Sequence, residues 1–172
     1  MKKLIMGLLA ISVVSCLNND DLPSYDPLAQ LEIDKQNIEA HLTQNGITAQ
    51  EHDTGIFYTI TTEGDDTFPE EGDEVAVNYE LYNFDGDLLD TNIEEVAENG
   101  GIHNPSRTYE PLEFVLGTGN IISGFQISAL LLSVGASGDF YIPSVLAYRN
   151  VGSTSIKPNE SIMFKIELVE IK

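Results

Sequence analysis

The sequence predicts an α+β domain, an antiparallel β-sheet with one face covered by a single short helix, preceded by a separate N-terminal helix. Three observations carry this reading. From Thr54 onward apolar residues recur with period two in five separate runs. Within that region one run, Phe125 to Leu132, has helical spacing, with Ile122, Phe125, Ala129 and Leu132 on one face. Ahead of it, Leu28, Leu31, Ile38 and Leu42 recur at helical spacing between a start and a stop signal. Strands that alternate apolar and polar residues belong to antiparallel sheets with one covered face.

The first element is not part of that fold. Residues 1–15 have a basic start, a short apolar core and small residues at the end, which is the pattern of a secretory signal and too short to span a bilayer. Val13-Val-Ser-Cys16 resembles a bacterial lipobox, in which the cysteine is lipidated and becomes the mature N-terminus. Cys16 is the one cysteine of the chain, so this use leaves no disulfide and no thiol chemistry. The expected setting is the bacterial cell envelope, with the chain anchored through lipid on Cys16, at the outer membrane on its periplasmic or surface face. Residues 16–26 are polar, carry Pro23 and read as a tether.

Asp26-Pro27 is an N-cap followed by proline at the first helical position, and Asn45-Gly46 is a stop, so a helix is expected over 27–45. It can pack on the main domain or pair with a second copy as a homodimer. The domain proper is expected over 54–172. Its strands are centred on Ile56–Ile60, Val75–Leu81, Leu112–Leu116, Phe140–Ile142 and Ile162–Leu168, separated by turn chemistry at Glu63–Asp66, Pro69–Asp73 and Asp85–Gly86. Gly117 and Gly119 favour a tight loop after the third strand, with positive φ or close backbone approach. That loop lifts Ile121 and Ile122 just ahead of the helix that carries Phe125, a layout able to floor an apolar pocket.

Composition excludes several functions. The formal charge is −20, and loss of Lys2 and Lys3 with the signal leaves 28 acidic against 6 basic residues. Nucleic acid is therefore not an expected partner, because phosphate binding requires a basic patch. Gly119-Asn-Ile-Ile-Ser-Gly124 lacks the lysine of a phosphate loop, and no Gly-x-Ser-x-Gly occurs. The acidic groups Asp85-Gly-Asp87 with Asp90, and Asp65-Asp66 near Glu70-Glu71, miss the spacing of a calcium loop. His41, His52 and His103 make no ligand pattern along the chain, so no metal and no cofactor are expected.

Several separated motifs then agree in order and spacing: Val75-Ala-Val-Asn-Tyr79, Leu88-Leu-Asp90, Pro111-Leu-Glu-Phe114, Leu116-Gly-Thr-Gly-Asn-Ile-Ile-Ser-Gly-Phe125, Ser133-Val-Gly135, Ile142-Pro143, Ala147-Tyr148 and Phe164-Lys-Ile-Glu-Leu168. From about Gly55 to Lys172 the chain resembles the FKBP-type peptidyl-prolyl isomerases. The resemblance implies a curved antiparallel sheet wrapped around one short helix. It implies a pocket formed by Tyr79, Leu89, Asp90, Leu112, Ile121, Ile122, Phe125, Tyr148, Ile156 and Phe164. In it Ile122 and Phe125 are the floor, Tyr148 donates its hydroxyl to a substrate carbonyl, and Asp90 and Tyr79 line the polar side. Proline-containing polypeptides are the implied partners. The chain departs from the family at Leu89 and Leu112, where aromatic rings are usual, at Phe125, where Trp is usual, and at Arg149, where Gly usually follows the tyrosine. The 91–110 segment is longer than in compact members and carries His103, Arg107 and Tyr109, which are placed to hang over the pocket rim. A second reading is binding of proline peptides without turnover, as a chaperone or adaptor.

Overall fold

The computed structural model describes residues 25–172; the signal segment, Cys16 and nearly all of the tether lie outside the described residues. The chain builds one seven-stranded, wholly antiparallel sheet. Its strands are β1 (Gln50–Glu51), β2 (Phe57–Thr62), β3 (Glu74–Tyr82), β4 (Leu88–Thr91), β5 (Leu112–Val115), β6 (Ser137–Ile142) and β7 (Ile162–Ile171). The order across the sheet is β1-β2-β6-β7-β3-β4, with β5 also on β3. The outer edge of β3 is thus shared, its first half by β5 and its second half by β4. This sharing brings the end of β4 and the start of β5 side by side, and the 92–111 connection begins and ends at that corner.

The helices are α1 (Pro27–Asn45), α2 (Glu94–Asn99) and α3 (Ser123–Leu130). α3 covers the concave face. Phe125 and Ala129, with Leu132 just past its end, pack on Val75, Val77, Phe114, Phe140, Ile142, Ile162, Phe164, Ile166 and Leu168, all buried. The period-two alternation of β7 is followed without exception from Ile162 to Leu168. Gly124 permits the close approach of α3: a Cβ there would lie 2.3 Å from Ile142 Cγ2 and 3.1 Å from the Leu146 carbonyl.

α1 is closed at both ends by its own sequence. Asp26 Oδ1 accepts the amides of Leu28 (3.0 Å) and Ala29 (3.3 Å). Gly46 takes left-handed φ of 66°, and its amide and that of Ile47 turn back to the last carbonyls. The helix lies on the reverse face of the sheet, where Ile38 and Leu42 meet Phe57 and Tyr141 in a second, smaller core. These two sheet residues alternate with Tyr58 and Phe140 on the side of the main core, so β2 and β6 are covered on both faces. Leu28, one of the four periodic positions, is instead 76% exposed.

Three elements differ from expectation. β1 and β4 are strands, and α2 is a helix inside what reads as a long loop. Each is six residues or fewer, too short to show a period. β4 exists because it pairs with β3, and α2 because burial of its own Ala97 docks it on the domain, with Glu94 and Glu95 in its first turn. Gly117 has the expected positive φ, of 82°, whereas Gly119 has neither positive φ nor a close neighbour.

Ile38→Ala is expected to destabilise the protein by about 2–5 kcal/mol, since it opens a cavity at a fully buried position, whereas Leu28→Ala stays within about 0.5 kcal/mol. Urea unfolding of the two variants checks this, and comparable midpoints would show that α1 is not docked.

Candidate functional site

At one end of the concave face the cover stops and leaves an apolar hollow of about 290 Å³. Tyr79 and Leu81 come from β3, Asp90 from β4, Leu112 from β5, Asn120, Ile121 and Ile122 from the loop before α3, Phe125 from α3, Tyr148 from the β6–β7 connection and Phe164 from β7. Its base is a set of rings in edge contact. Phe125 lies 4.9 Å from Phe164 at 70° and 5.7 Å from Tyr79 at 88° between centroids. Such edge-to-face pairs hold one another's orientation, so the base is a fixed surface. A larger and more polar depression, about 550 Å³, lies on the other side of the 117–122 loop. It has no aromatic wall, and the ring-lined hollow is the better ligand site.

The loop that carries Ile121 and Ile122 is held by one residue. Gln126, buried on α3, accepts the Gly117 amide with Oε1 (2.8 Å) and donates through Nε2 to the carbonyls of Thr118 (2.7 Å) and Ile121 (2.7 Å). One amide side chain thus satisfies three backbone groups of a loop that has no secondary structure of its own. Sequence reasoning did not single out Gln126. The signal was its place directly after Phe125 on the helix, where an apolar or charged residue could not make both kinds of bond.

The polar side of the hollow is a closed triangle. Tyr79 donates its hydroxyl to Asp90 Oδ2 (2.6 Å). Arg107 donates from Nη1 to Asp90 Oδ1 (2.5 Å) and from Nη2 to the Tyr79 oxygen (3.0 Å). Burial, reinforced by the bond to Asp90, pushes the Tyr79 phenol up to about 12, so it stays protonated and donating at neutral pH. The 91–110 segment that supplies Arg107 is pinned at its root by Asn92, which accepts the Tyr79 amide (2.8 Å) and donates to the carbonyls of Val77 (2.9 Å) and Glu110 (3.0 Å). Further out, the Arg107 guanidinium sits 5.4 Å from the centre of the Tyr109 ring, and His103 stacks on the ring at 5.3 Å.

Tyr148 stands on the opposite rim. Its side chain lines the open hollow, and its hydroxyl has no hydrogen-bond partner among the described residues. Burial, and then the charge of Asp90, raises its pKa above the ordinary phenol value, so it too is a proton donor at neutral pH.

Eight of the ten expected pocket residues line one hollow. Leu89 and Ile156 do not. Leu89 is the unpaired residue of a bulge in β4, between the pairs Leu81–Asp90 and Tyr82–Leu88, and packs partly buried against the main core outside the wall of the hollow. Ile156 is 3% exposed, sealed within the core rather than in the wall. Leu81 and Asn120 line the hollow and were not expected there. Of the acidic groups set aside as solvated turns, Asp65 and Asp87 do serve turns, bonding an amide or side chain within four residues, whereas Asp90 joins Tyr79 and Arg107 at the hollow. The fold does bring His103 to Glu94 and Glu98, with three ligand-capable atoms within 4.8 Å of one another. The 3.3 Å pairing of His103 with Glu94 accounts for the approach.

A family profile described as FKBP-type peptidyl-prolyl cis-trans isomerase matches residues 65–169. The chain is 34% identical over 146 residues to a probable FKBP-type peptidyl-prolyl cis-trans isomerase, FkpA, of Neisseria meningitidis serogroup B, covering 83% of this chain and 48% of that protein. It is 40% identical over 77 residues to a short-type peptidyl-prolyl cis-trans isomerase of Methanocaldococcus jannaschii, covering 45% of this chain and 48% of that one. The matches therefore span about half the length of these curated relatives. Among solved structures, FkpA of Escherichia coli superposes with a TM-score of 0.62 at 26% identity, over 84% of this chain and 64% of that one. A peptidyl-prolyl isomerase of Pseudomonas syringae pv. tomato gives 0.63 at 24% identity, over 87% and 98%, a likeness of fold.

The phenols generate a pH prediction. The unfolded chain releases phenolic protons near pH 10, while folded Tyr79 and Tyr82 hold theirs to about 12. Between those values the folded state binds more protons, so stability is intact below pH 10 and falls as pH rises toward 12. Denaturant midpoints at pH 8 and pH 11 check this; equal midpoints would contradict it.

Proposed function

The chain belongs to the FKBP-type peptidyl-prolyl cis-trans isomerase family, and from that membership we propose that it is itself a peptidyl-prolyl cis-trans isomerase acting on exported, proline-containing polypeptides. The observation that carries this is the open, ring-floored hollow with a free phenol on its rim. The X–Pro bond is held by amide resonance behind a barrier of about 18–20 kcal/mol, while its isomers differ by only about 0.5–1 kcal/mol. Rate, not equilibrium, is what a catalyst must change.

At the half-rotated geometry the resonance is lost, the carbonyl is less polar and the nitrogen is more pyramidal. An apolar cavity disfavours the polar planar amide more than the twisted one, which is differential binding of the transition state. In this reading the proline ring rests on Phe125 and Ile122, with Phe164 and Leu112 at its sides. The Tyr148 hydroxyl donates to a substrate carbonyl and holds the chain while the bond turns. Asp90 and Tyr79 line the polar side, with both carboxylate oxygens of Asp90 already engaged by Tyr79 and Arg107. No nucleophile is used.

The cellular setting is part of the same proposal. The signal segment and the Val13-Val-Ser-Cys16 motif support lipid anchoring at Cys16 in a bacterial envelope. A homodimer through α1 would use Leu28 and Ile33, the apolar positions the helix leaves exposed. Binding without turnover, as a chaperone or adaptor, is the second reading; Leu112 in place of a ring makes the wall lower on that side and favours it.

Exchange NMR on an X–Pro peptide tests the enzyme. The protein at micromolar concentration is expected to speed interconversion, and Tyr148→Phe to lower kcat/KM about tenfold, the worth of one hydrogen bond in an apolar site. Acceleration absent but peptide affinity retained would favour the second reading. Phe125→Ala is a poor reporter, because truncating a ring that is 2% exposed costs about 3–5 kcal/mol of a total near 5–15 kcal/mol; Ile122→Ala at the half-buried loop is preferable. For the anchor, metabolic labelling with a fatty-acid probe should mark the protein and not its Cys16→Ser variant.

A further inference from the structure

The carboxylate of Asp34, on α1, is fully buried against the β6–β7 connection, with no ion-pair partner among the described residues. Its Oδ1 accepts from Gln30 Nε2 on its own helix (2.7 Å), and its Oδ2 accepts from the Ser144 hydroxyl (2.6 Å), 110 residues away in sequence. A buried carboxylate is expensive unless its bonds do something that an apolar contact could not.

Ser144 opens the 3-10 turn Ser144–Leu146. Its carbonyl accepts the amides of Ala147 (3.0 Å) and Arg149 (2.8 Å), the two residues that flank Tyr148. Arg149 itself is held at φ 53°, a left-handed conformation that costs a side-chain-bearing residue about 1 kcal/mol and persists only where the surroundings over-determine it. Its carbonyl accepts the Asn159 amide at 2.7 Å. A short, strained segment without regular structure thus carries the rim phenol, and its one side-chain anchor at Ser144 is on α1.

We propose that α1 is a positioning element of the isomerase site, with Asp34 as the positioning residue: through Ser144 it fixes the segment that aims the Tyr148 hydroxyl across the hollow. This rests on the isomerase reading for its catalytic consequence, but the structural coupling stands apart from it. α1 is then more than a spacer between the membrane anchor and the domain. Asp34→Asn conserves the connection, since one side-chain oxygen still accepts from Gln30 and the amide can donate to the Ser144 hydroxyl, which accepts as well as donates. Asp34→Ala breaks it.

Two readouts on the full chain decide the matter. The first is amide hydrogen exchange at Ala147 and Arg149. Asp34→Ala and Ser144→Ala are each expected to speed exchange there while leaving β7 protected, and Asp34→Asn to stay near the parent. The second is kcat/KM on an X–Pro peptide below the unfolding transition. Asp34→Ala is expected to lose about tenfold, within what displacement of a positioned group costs, and to add nothing further in a Tyr148→Phe background. Unchanged exchange at Ala147 and Arg149 in both variants overturns the coupling. Losses that multiply with Tyr148→Phe overturn the claim that Asp34 acts through that phenol. If the parent shows no isomerase activity, the isomerase reading falls and the exchange data still judge the positioning. Should Asp34→Ala fail to fold, Ser144→Ala against Asp34→Asn makes the same comparison.

Discussion

The structure turns on a mismatch of lengths. α3 has eight residues, about 12 Å of helix, whereas β3 and β7 have nine and ten, about 30 Å of strand. One short helix cannot cover the concave face of such a sheet. Over Val77, Ile166 and Leu168 the cover is complete and the side chains are sealed. Toward Leu81 and Phe164 it runs out, and apolar faces of strands and helix are left around an open space. The hollow follows from how far the helix reaches. The loops at 117–122 and 144–149 then form its rims, because they are the chain that connects the uncovered end.

Loops of this kind hold their shape only through specific bonds, and the protein uses one buried polar side chain for each. Gln126 satisfies three backbone groups of the 117–121 turn. Asn92 fastens both ends of the 91–110 excursion to β3. Asp34 holds the turn that precedes Tyr148. Each sits at a junction where an unpaired backbone or hydroxyl group would otherwise be buried, which is costly. Together they make an irregular rim behave as a fixed one. The same logic separates the two acidic populations of this chain. Many exposed carboxylates serve solvation and local turns, and Glu113 and Glu167 pair across the sheet, while Asp34 and Asp90 join the segments that frame the hollow.

α1 illustrates how a second layer changes what a sheet can do. β2 and β6 carry apolar residues on both faces, Tyr58 and Phe140 inward and Phe57 and Tyr141 outward. Without α1 the outward pair would be an exposed aromatic patch. With it, the reverse face becomes a small core that also brings Asp34 to Ser144. His41 stacking on Phe84, 4.4 Å apart, ties the same helix to the turn that leads into β4 and Asp90.

What the sequence by itself determined is whatever depends on neighbours along the chain. Asp26-Pro27 and Asn45-Gly46 bound α1 because capping is local hydrogen bonding. The alternation from Ile162 to Leu168 declares β7 because the pleat has period two. The motif spacing from Val75 to Phe164 resembles one family closely enough to place eight wall residues of the hollow. What only the tertiary structure decided is whatever depends on partners far away in sequence. β4 and α2 are too short to show a period; β4 forms because β3 pairs with it, and α2 because burial of its own Ala97 docks it on the domain. Leu89 and Ile156 left the wall because a bulge in the β3–β4 pairing and the closure of the core, not sequence position, choose which way a side chain faces. The Arg107–Asp90–Tyr79 triangle and the Asp34–Ser144 bond join groups 11 to 110 residues apart. No periodicity records such a meeting, since the free energy that brings the groups together is that of the whole fold.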